Sequence, residues 1–308
     1  MFKLSEILPK IGYEGRFIIK NERPFKYLAL SVSVLNDPYC VFIDNKRYIS
    51  NITEYVSMVI TTSEVAGSLQ NTSSYGICIV DNPRVLFFTI HNFLCNDPNY
   101  CRHKYDSIIG NNCVISERAV IAPKNVTIGN NVTIEDFSVI KENTIIGDNT
   151  IIGAGSIIGG TGFEFKRVNN VVLSVKHIGG VVIGENVEIQ YNSCVDKAIY
   201  PWADTIIGNY CKIDNLVHIA HAVRLGNNVL IAANSSISGR TIIGNNSWIG
   251  VGVTIINGIR IGEESHINIG SVVLKNVKEN KTVLGNPACD IEKFSKIQYE
   301  LSDLIINK

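Results

Sequence analysis

"IGNYCKIDNLVHIAHAVRLGNNVLIAANSSISGRTII" (207–243) carries an aliphatic residue at every sixth position: Ile207, Ile213, Ile219, Leu225, Ile231, Ile237 and Ile243. Six is a multiple of two, so these residues share one face of an extended chain. On a helix the same spacing would drift by about 240° per step. The enrichment in Ile, Val and Thr agrees with strands. The recurring Gly and Asn agree with tight corners that need a positive φ.

Outward from this stretch the beat continues. It runs forward through Ile249, Ile255, Ile261, Ile267 and Val273, and backward through Val195, Ile189 and Ile183. An earlier block holds Ile128, Ile134, Ile140, Ile146, Ile152 and Ile158. Gly208, Gly226, Gly244 and Gly262 add a period of 18, or three hexads. One corner in three is chemically special, as in a triangular coil of three short strands. Hexapeptide repeats of this kind predict a parallel β-helix with stacked coils.

The beat breaks between Ile158 and Ile183, in "GGTGFEFKRVNNVVLSVKHIGGVV". A repeat that survives its interruption has extruded a loop, and such loops on rigid scaffolds commonly carry function. After "GNPA" (285–288), Ile291, Phe294, Ile297, Leu301 and Leu304 recur at three and four, which predicts an amphipathic helix. The first hundred residues lack the beat. Their segments "YLALSVSV", "YCVFID", "SMVITT" and "GICIV" read as strands. The expected organisation is an α/β domain over 1–100, the β-helix over 101–285 and a C-terminal helix over 286–308.

Lys+Arg and Asp+Glu both number 28 in 308 residues, so the net charge is zero. That gives no global electrostatic case for nucleic acid or an anionic membrane. "MFKLSEILPKIGYEG" has no signal-peptide h-region, and no run reaches 18 apolar residues. The expected location is the cytoplasm, with the eight cysteines as reduced thiols. His91, Cys95, Cys101 and His103 offer zinc-ligand chemistry, but their spacings match no common finger pattern. No metal is expected.

His218 and His221 stand three apart in "HIAHAV". The period of 18 puts Gly239 one coil above His221 and Asn257 two coils above. Stacked strands lie about 4.8 Å apart, so the Gly239 N–H is within reach of the imidazole. A base beside an exposed backbone donor is what acyl transfer needs: one takes the proton, the other holds the oxyanion. His218 reads as a supporting residue. A zinc reading would join these two histidines to His266, as in β-helical carbonic anhydrases, but the spacing those enzymes use is missing.

Three stretches together resemble the UDP-3-O-(3-hydroxyacyl)glucosamine N-acyltransferases of lipid A synthesis. They are "CVFIDNKRY" near residue 42, "GTGFEF" with "HIGGVVIGENVEI", and "IDNLVHIAHAVRLGNN" with Gly239. The resemblance spans nearly the whole chain in order. It implies a left-handed hexapeptide β-helix, a homotrimer with sites between subunits, and Phe42 and Tyr48 sandwiching a uracil that Asn45 hydrogen-bonds. Stacking on aromatic faces suits a base. It further implies His221 as general base, Gly239 as oxyanion donor, Phe163 and Asn257 near the sugar or acyl group, and a phosphopantetheine-borne acyl donor on acyl carrier protein. No permanently bound cofactor is implied. Arg224 and Arg240 are candidate contacts for the acidic carrier.

The sequence departs from the family in four places. Ile259 stands where a second histidine often follows "ING", "VDKA" (195–198) replaces "IDRG", "IYPWAD" (199–204) is extra, and the expected C-terminal helix is short. Two alternatives therefore stay open: an acyl-CoA-dependent N-acyltransferase of another nucleotide-linked amino sugar, and a non-catalytic solenoid scaffold.

Overall fold

The computed structural model describes residues 1–69, 73–168 and 171–285, with residues 296, 299 and 300. Most of the helix expected over 286–308 lies outside the described residues.

From Ile108 to Val283 the chain winds into three parallel sheets of nine, eight and eight short strands. Every third strand stacks on the same sheet, and the partners are 18 residues apart, as with Ile219 opposite Ile237. The beat residues from Ile128 to Val273 all point inward and are buried. Inward Ser and Thr hydroxyls bond backbone carbonyls of the next coil, as Ser235 Oγ does to Gly250 O at 2.8 Å. This satisfies polar groups that burial would otherwise penalise.

The corners divide the work between Asn and Gly differently from the sequence expectation. Positive φ falls mainly on Asn, for example Asn186, Asn228 and Asn246 at φ 57°, 57° and 58°. Gly208, Gly226, Gly244 and Gly262 have ordinary φ. They are glycine because a Cβ there would strike the next coil: at Gly244 it would sit 2.6 Å from Glu263 N. The 18-residue glycine period marks close backbone stacking, not left-handed turns.

Two extrusions interrupt the coil. Thr144 lies opposite Val181, 37 residues on, so 19 residues are looped out between the stacked coils. Val181 lies opposite Thr205, 24 residues on, which loops out a further six. The first extrusion contains an antiparallel ribbon, Phe165–Val168 with Val171–Ser174. The second carries Tyr200 and Trp202, whose rings stack at 5.4 Å with planes 2° apart.

The first hundred residues form a five-stranded sheet. Its strands are β1 (Phe17–Lys20), β2 (Tyr27–Leu28), β3 (Tyr39–Ile43), β4 (Val56–Thr61) and β5 (Gly76–Val80), in the order β1-β5-β4-β3-β2. Its helices are α1 (Leu4–Lys10), α2 (Ser63–Ala66) and α3 (Pro83–Leu94). Asn82 caps α3 by accepting from Val85 N, and Pro83 opens it.

Both extrusions dock on this unit. Trp202 Nε1 donates to Leu28 O at 3.0 Å. Arg102 donates to Pro201 O and Ala203 O and pairs with Asp204 at 2.7 Å. From α3, Asn92 brackets the first extrusion, donating to Ser174 O and accepting from Lys176 N. His91 donates from Nε2 to Lys176 O at 2.9 Å and accepts the Tyr100 hydroxyl on Nδ1 at 3.0 Å. Leu86, Phe87 and Ile90 share one apolar core with Ala198, Ile199 and Tyr200. The sheet and the β-helix are thereby tied together through the two extrusions.

Candidate active site

His221 and Gly239 each immediately precede a corner residue in the left-handed region, Ala222 (φ 57°) and Arg240 (φ 61°). Arg240 N donates to His221 O at 2.9 Å, which fixes Gly239 one coil above His221 as the period predicts. A Cβ built on Gly239 would lie 2.7 Å from both Cε1 and Nε2 of the imidazole. Only glycine leaves the ring its place. Among the described residues the Gly239 N–H donates no hydrogen bond, so it remains available.

The imidazole is nearly enclosed. Burial pushes its pKa down to about 4, with His177 and Arg240 adding to that and Glu164 opposing it. His221 is therefore neutral at physiological pH, the protonation state a general base needs. Its Nε2 lies 3.5 Å from Glu164 Oε2, and its Nδ1 is buried without a hydrogen-bond partner among the described residues. The His177 ring meets it edge to face at 5.6 Å. His177 donates from Nδ1 to Val175 O at 3.0 Å. His218 points elsewhere: it bonds the largely buried Asp196 at 2.9 Å, which raises its pKa.

A cavity of about 560 Å³ opens from His221 toward the N-terminal sheet. That volume falls in the range of small-molecule sites. Phe42 and Tyr48 line its far end, Asn257 and Gly258 its solenoid wall, and Arg84, Lys166 and Arg240 supply positive charge. Arg84 sits 5.5 Å over the Phe42 ring and pairs with Asp44 at 2.9 Å. The cavity thus joins flat aromatic faces, cations suited to phosphates, and a neutral imidazole beside an unused N–H.

His221, Asn257, Phe42 and Tyr48 line this cavity, and Gly239 adjoins it through the His221 ring; Asn45, Phe163 and His218 do not line it. Asn45 caps a 3-10 turn, accepting from Arg47 N at 3.0 Å. Phe163 is 87% exposed and packs on Phe165. His218 stands behind the site through Asp196. Ile259 packs against the solenoid core, and that position holds no proton carrier. Sequence reasoning missed Glu164, Lys166 and His177. Glu164 adjoins Phe163 within the quoted motif, and its charge in an extruded loop was the available signal.

The other candidate metal residues are committed elsewhere. His91 spends both ring nitrogens on Tyr100 and Lys176. Burial pushes the Cys95 thiol up to about 12, against the thiolate a metal requires. His266 stacks on Trp248 on a different sheet from His218. Among the described residues no three His, Cys, Asp or Glu side chains gather as a metal site. Among them too, no helix is long and apolar enough to cross a membrane.

Comparison with known proteins agrees with this architecture. Residues 125–160 and 204–239 match the bacterial transferase hexapeptide (six repeats), and 240–275 the hexapeptide repeat of succinyl-transferase. The UDP-3-O-acylglucosamine N-acyltransferase of Rickettsia prowazekii is 49% identical over 144 residues, covering 47% of this chain and 41% of the relative. UDP-3-O-acylglucosamine N-acyltransferase 2 of Legionella pneumophila (strain Paris) is 44% identical over 135 residues, covering 44% and 39%. The matched part is thus about two fifths of each relative's length. A solved UDP-N-acetylglucosamine acyltransferase from Campylobacter jejuni shares the fold at TM-score 0.52 and 24% identity, over 62% of this chain and 77% of that one. Within the β-helix, residues 125–160 and 204–275 thus carry repeats similar to those of hexapeptide transferases.

Proposed function

We propose that the chain is an N-acyltransferase that moves an acyl group from a phosphopantetheine thioester to the amine of a UDP-linked glucosamine derivative, as in lipid A synthesis. The observation that carries this reading is the single cavity shared by Phe42, Tyr48 and His221. Residues 1–100 serve as the uridine-binding unit and the β-helix as the catalytic one. The uracil stacks at Phe42 and Tyr48, and Arg84, Lys166 and Arg240 face the diphosphate. The names of the curated relatives and the order of the matched motifs support this substrate class.

The chemistry follows from the geometry. The neutral sugar amine attacks the thioester carbonyl, forming a C–N bond. His221 Nε2 takes the proton that the nitrogen sheds. The Gly239 N–H holds the oxyanion of the tetrahedral intermediate. Collapse breaks the C–S bond, and the departing thiolate recovers the proton from the imidazolium. The remaining expectations join the proposal: acyl carrier protein as donor, no permanently bound cofactor, a homotrimer and a cytoplasmic location.

The test is a product-mass assay of the purified chain with UDP-amino sugars and either acyl-carrier-protein or acyl-CoA donors. An N-acylated nucleotide sugar is expected, with the carrier protein as the better donor. Preference for acyl-CoA would move the enzyme to the other acyltransferase class. No acylation and no binding of UDP-sugars by calorimetry would leave the scaffold reading.

A further inference from the structure

The surroundings of His221 Nε2 bear on which acceptor the site selects. In catalytic triads the carboxylate that orients the imidazole bonds the nitrogen remote from the reacting atoms. Glu164 does the opposite. His221 Nδ1 is the buried nitrogen with no partner among the described residues, whereas Nε2 is the one that faces Gly239 and lies 3.5 Å from Glu164 Oε2. Glu164 and His221 line the same cavity, so the carboxylate stands on the reacting side of the base.

For His221 to act as base, Nε2 must be bare. Nε2 and Oε2 are then two acceptors facing one space with no proton between them. A hydroxyl brings one proton and can satisfy only one of them. An amine brings two, and an ammonium three, so a single nitrogen satisfies both. We propose that Glu164 binds the acceptor's amino group directly and makes the site select amines over hydroxyls. Lys166 fixes the carboxylate by pairing with it on the same ribbon, and its Nζ rests 4.8 Å over the Phe88 ring. The inference rests on the nucleotide-sugar reading above and adds the residue that distinguishes the acceptor.

The test is calorimetry with UDP-glucosamine and UDP-glucose, which differ in an amine against a hydroxyl, on the intact chain and on Glu164→Gln and Glu164→Ala. The intact chain should prefer the amine by ~10- to 100-fold, the scale of a charge-assisted hydrogen bond. Both variants should lose that preference, and a circular dichroism spectrum matching that of the intact chain reports that they fold. Equal affinity of the intact chain for both sugars, or an unchanged preference in the variants, overturns the role of Glu164 and leaves the acyltransferase reading standing. A fall in turnover on every acceptor with the preference intact overturns it as well, since that marks an orienting role. Binding of neither sugar sinks the nucleotide-sugar reading and this inference with it.

Discussion

The backbone of Gly239 sits against the edge of the His221 imidazole, so closely that a Cβ there would lie 2.7 Å from Nε2. The proposed base and oxyanion donor are consecutive rungs of one stack, and no loop has to move to bring them together. Gly239→Ala should therefore displace a buried ring that has little room to yield. Acyl transfer should fall on the order of 10²-fold, the scale of misplacing a catalytic group by about 1 Å. Steady-state kinetics beside an unchanged circular dichroism spectrum would check it, and near-normal turnover would show that the position of the His221 ring does not limit the reaction.

His221→Ala should lower the transfer rate on the order of 10²–10⁴-fold with the fold intact. The pH profile offers a second check. Burial holds His221 at about 4, so its neutral, active form is lost only as pH falls through that value. The acid limb of kcat/KM from the free enzyme's base should lie near pH 4. A limb near pH 6.5 that His221→Ala abolishes would contradict a buried base.

Three buried histidines, His91, His177 and His221, tie stability to pH, since burial lowers the pKa of each. His91 and His221 are both held at about 4, mainly by burial, against 6.5 in an unfolded chain. Between those values the unfolded state binds more protons, so stability is full above pH 6.5 and is lost as pH falls toward 4. At pH 5 each of these two should cost on the order of 2 kcal/mol. His218 works in the other direction, since Asp196 raises its pKa and its contribution fades as pH rises. Its side chain is 46% exposed, so that opposing effect is small. Urea midpoints at pH 7 and pH 5 should show the net loss, and His91→Gln should reduce it. Equal midpoints would show that none of the three is held neutral by burial.

Trp202 joins the two units through Leu28 O and the Tyr200 ring. Trp202→Ala should destabilise by about 2–3 kcal/mol. It should also weaken UDP binding, because Phe42 sits on the sheet that Trp202 secures and Tyr48 on the 3-10 turn that follows its strand. Denaturant midpoints and UDP calorimetry measure the two effects. A variant that loses stability but keeps UDP affinity would place the joint outside the nucleotide site.

The solenoid was legible because its inward positions repeat at a fixed interval, so each residue's neighbours follow by counting. That logic placed Gly239 over His221 and Asn257 at the same wall. It failed where the chain leaves the coil. Glu164 reaches His221, and Trp202 reaches Leu28, by paths that no period describes. Phe163 drew attention as an aromatic in a motif, yet its neighbour Glu164 turns inward, since alternate residues of the extruded segment face opposite ways. Asn45 matched a motif, and its side chain closes a local turn instead. The role of α3 as a clamp on both extrusions is a product of packing, and its amphipathic pattern alone does not name what it grips.

The six-residue extrusion has a consequence for editing this molecule. One hexad is one side of a three-sided prism. If those six residues were wound into the coil, every later side would advance by a third of a turn, and the column bearing His221 and Gly239 would face away from the N-terminal sheet. Excisions of whole 18-residue turns beyond the site should shorten the prism and leave its faces in phase. A deletion of six from the wound part should rotate everything that follows.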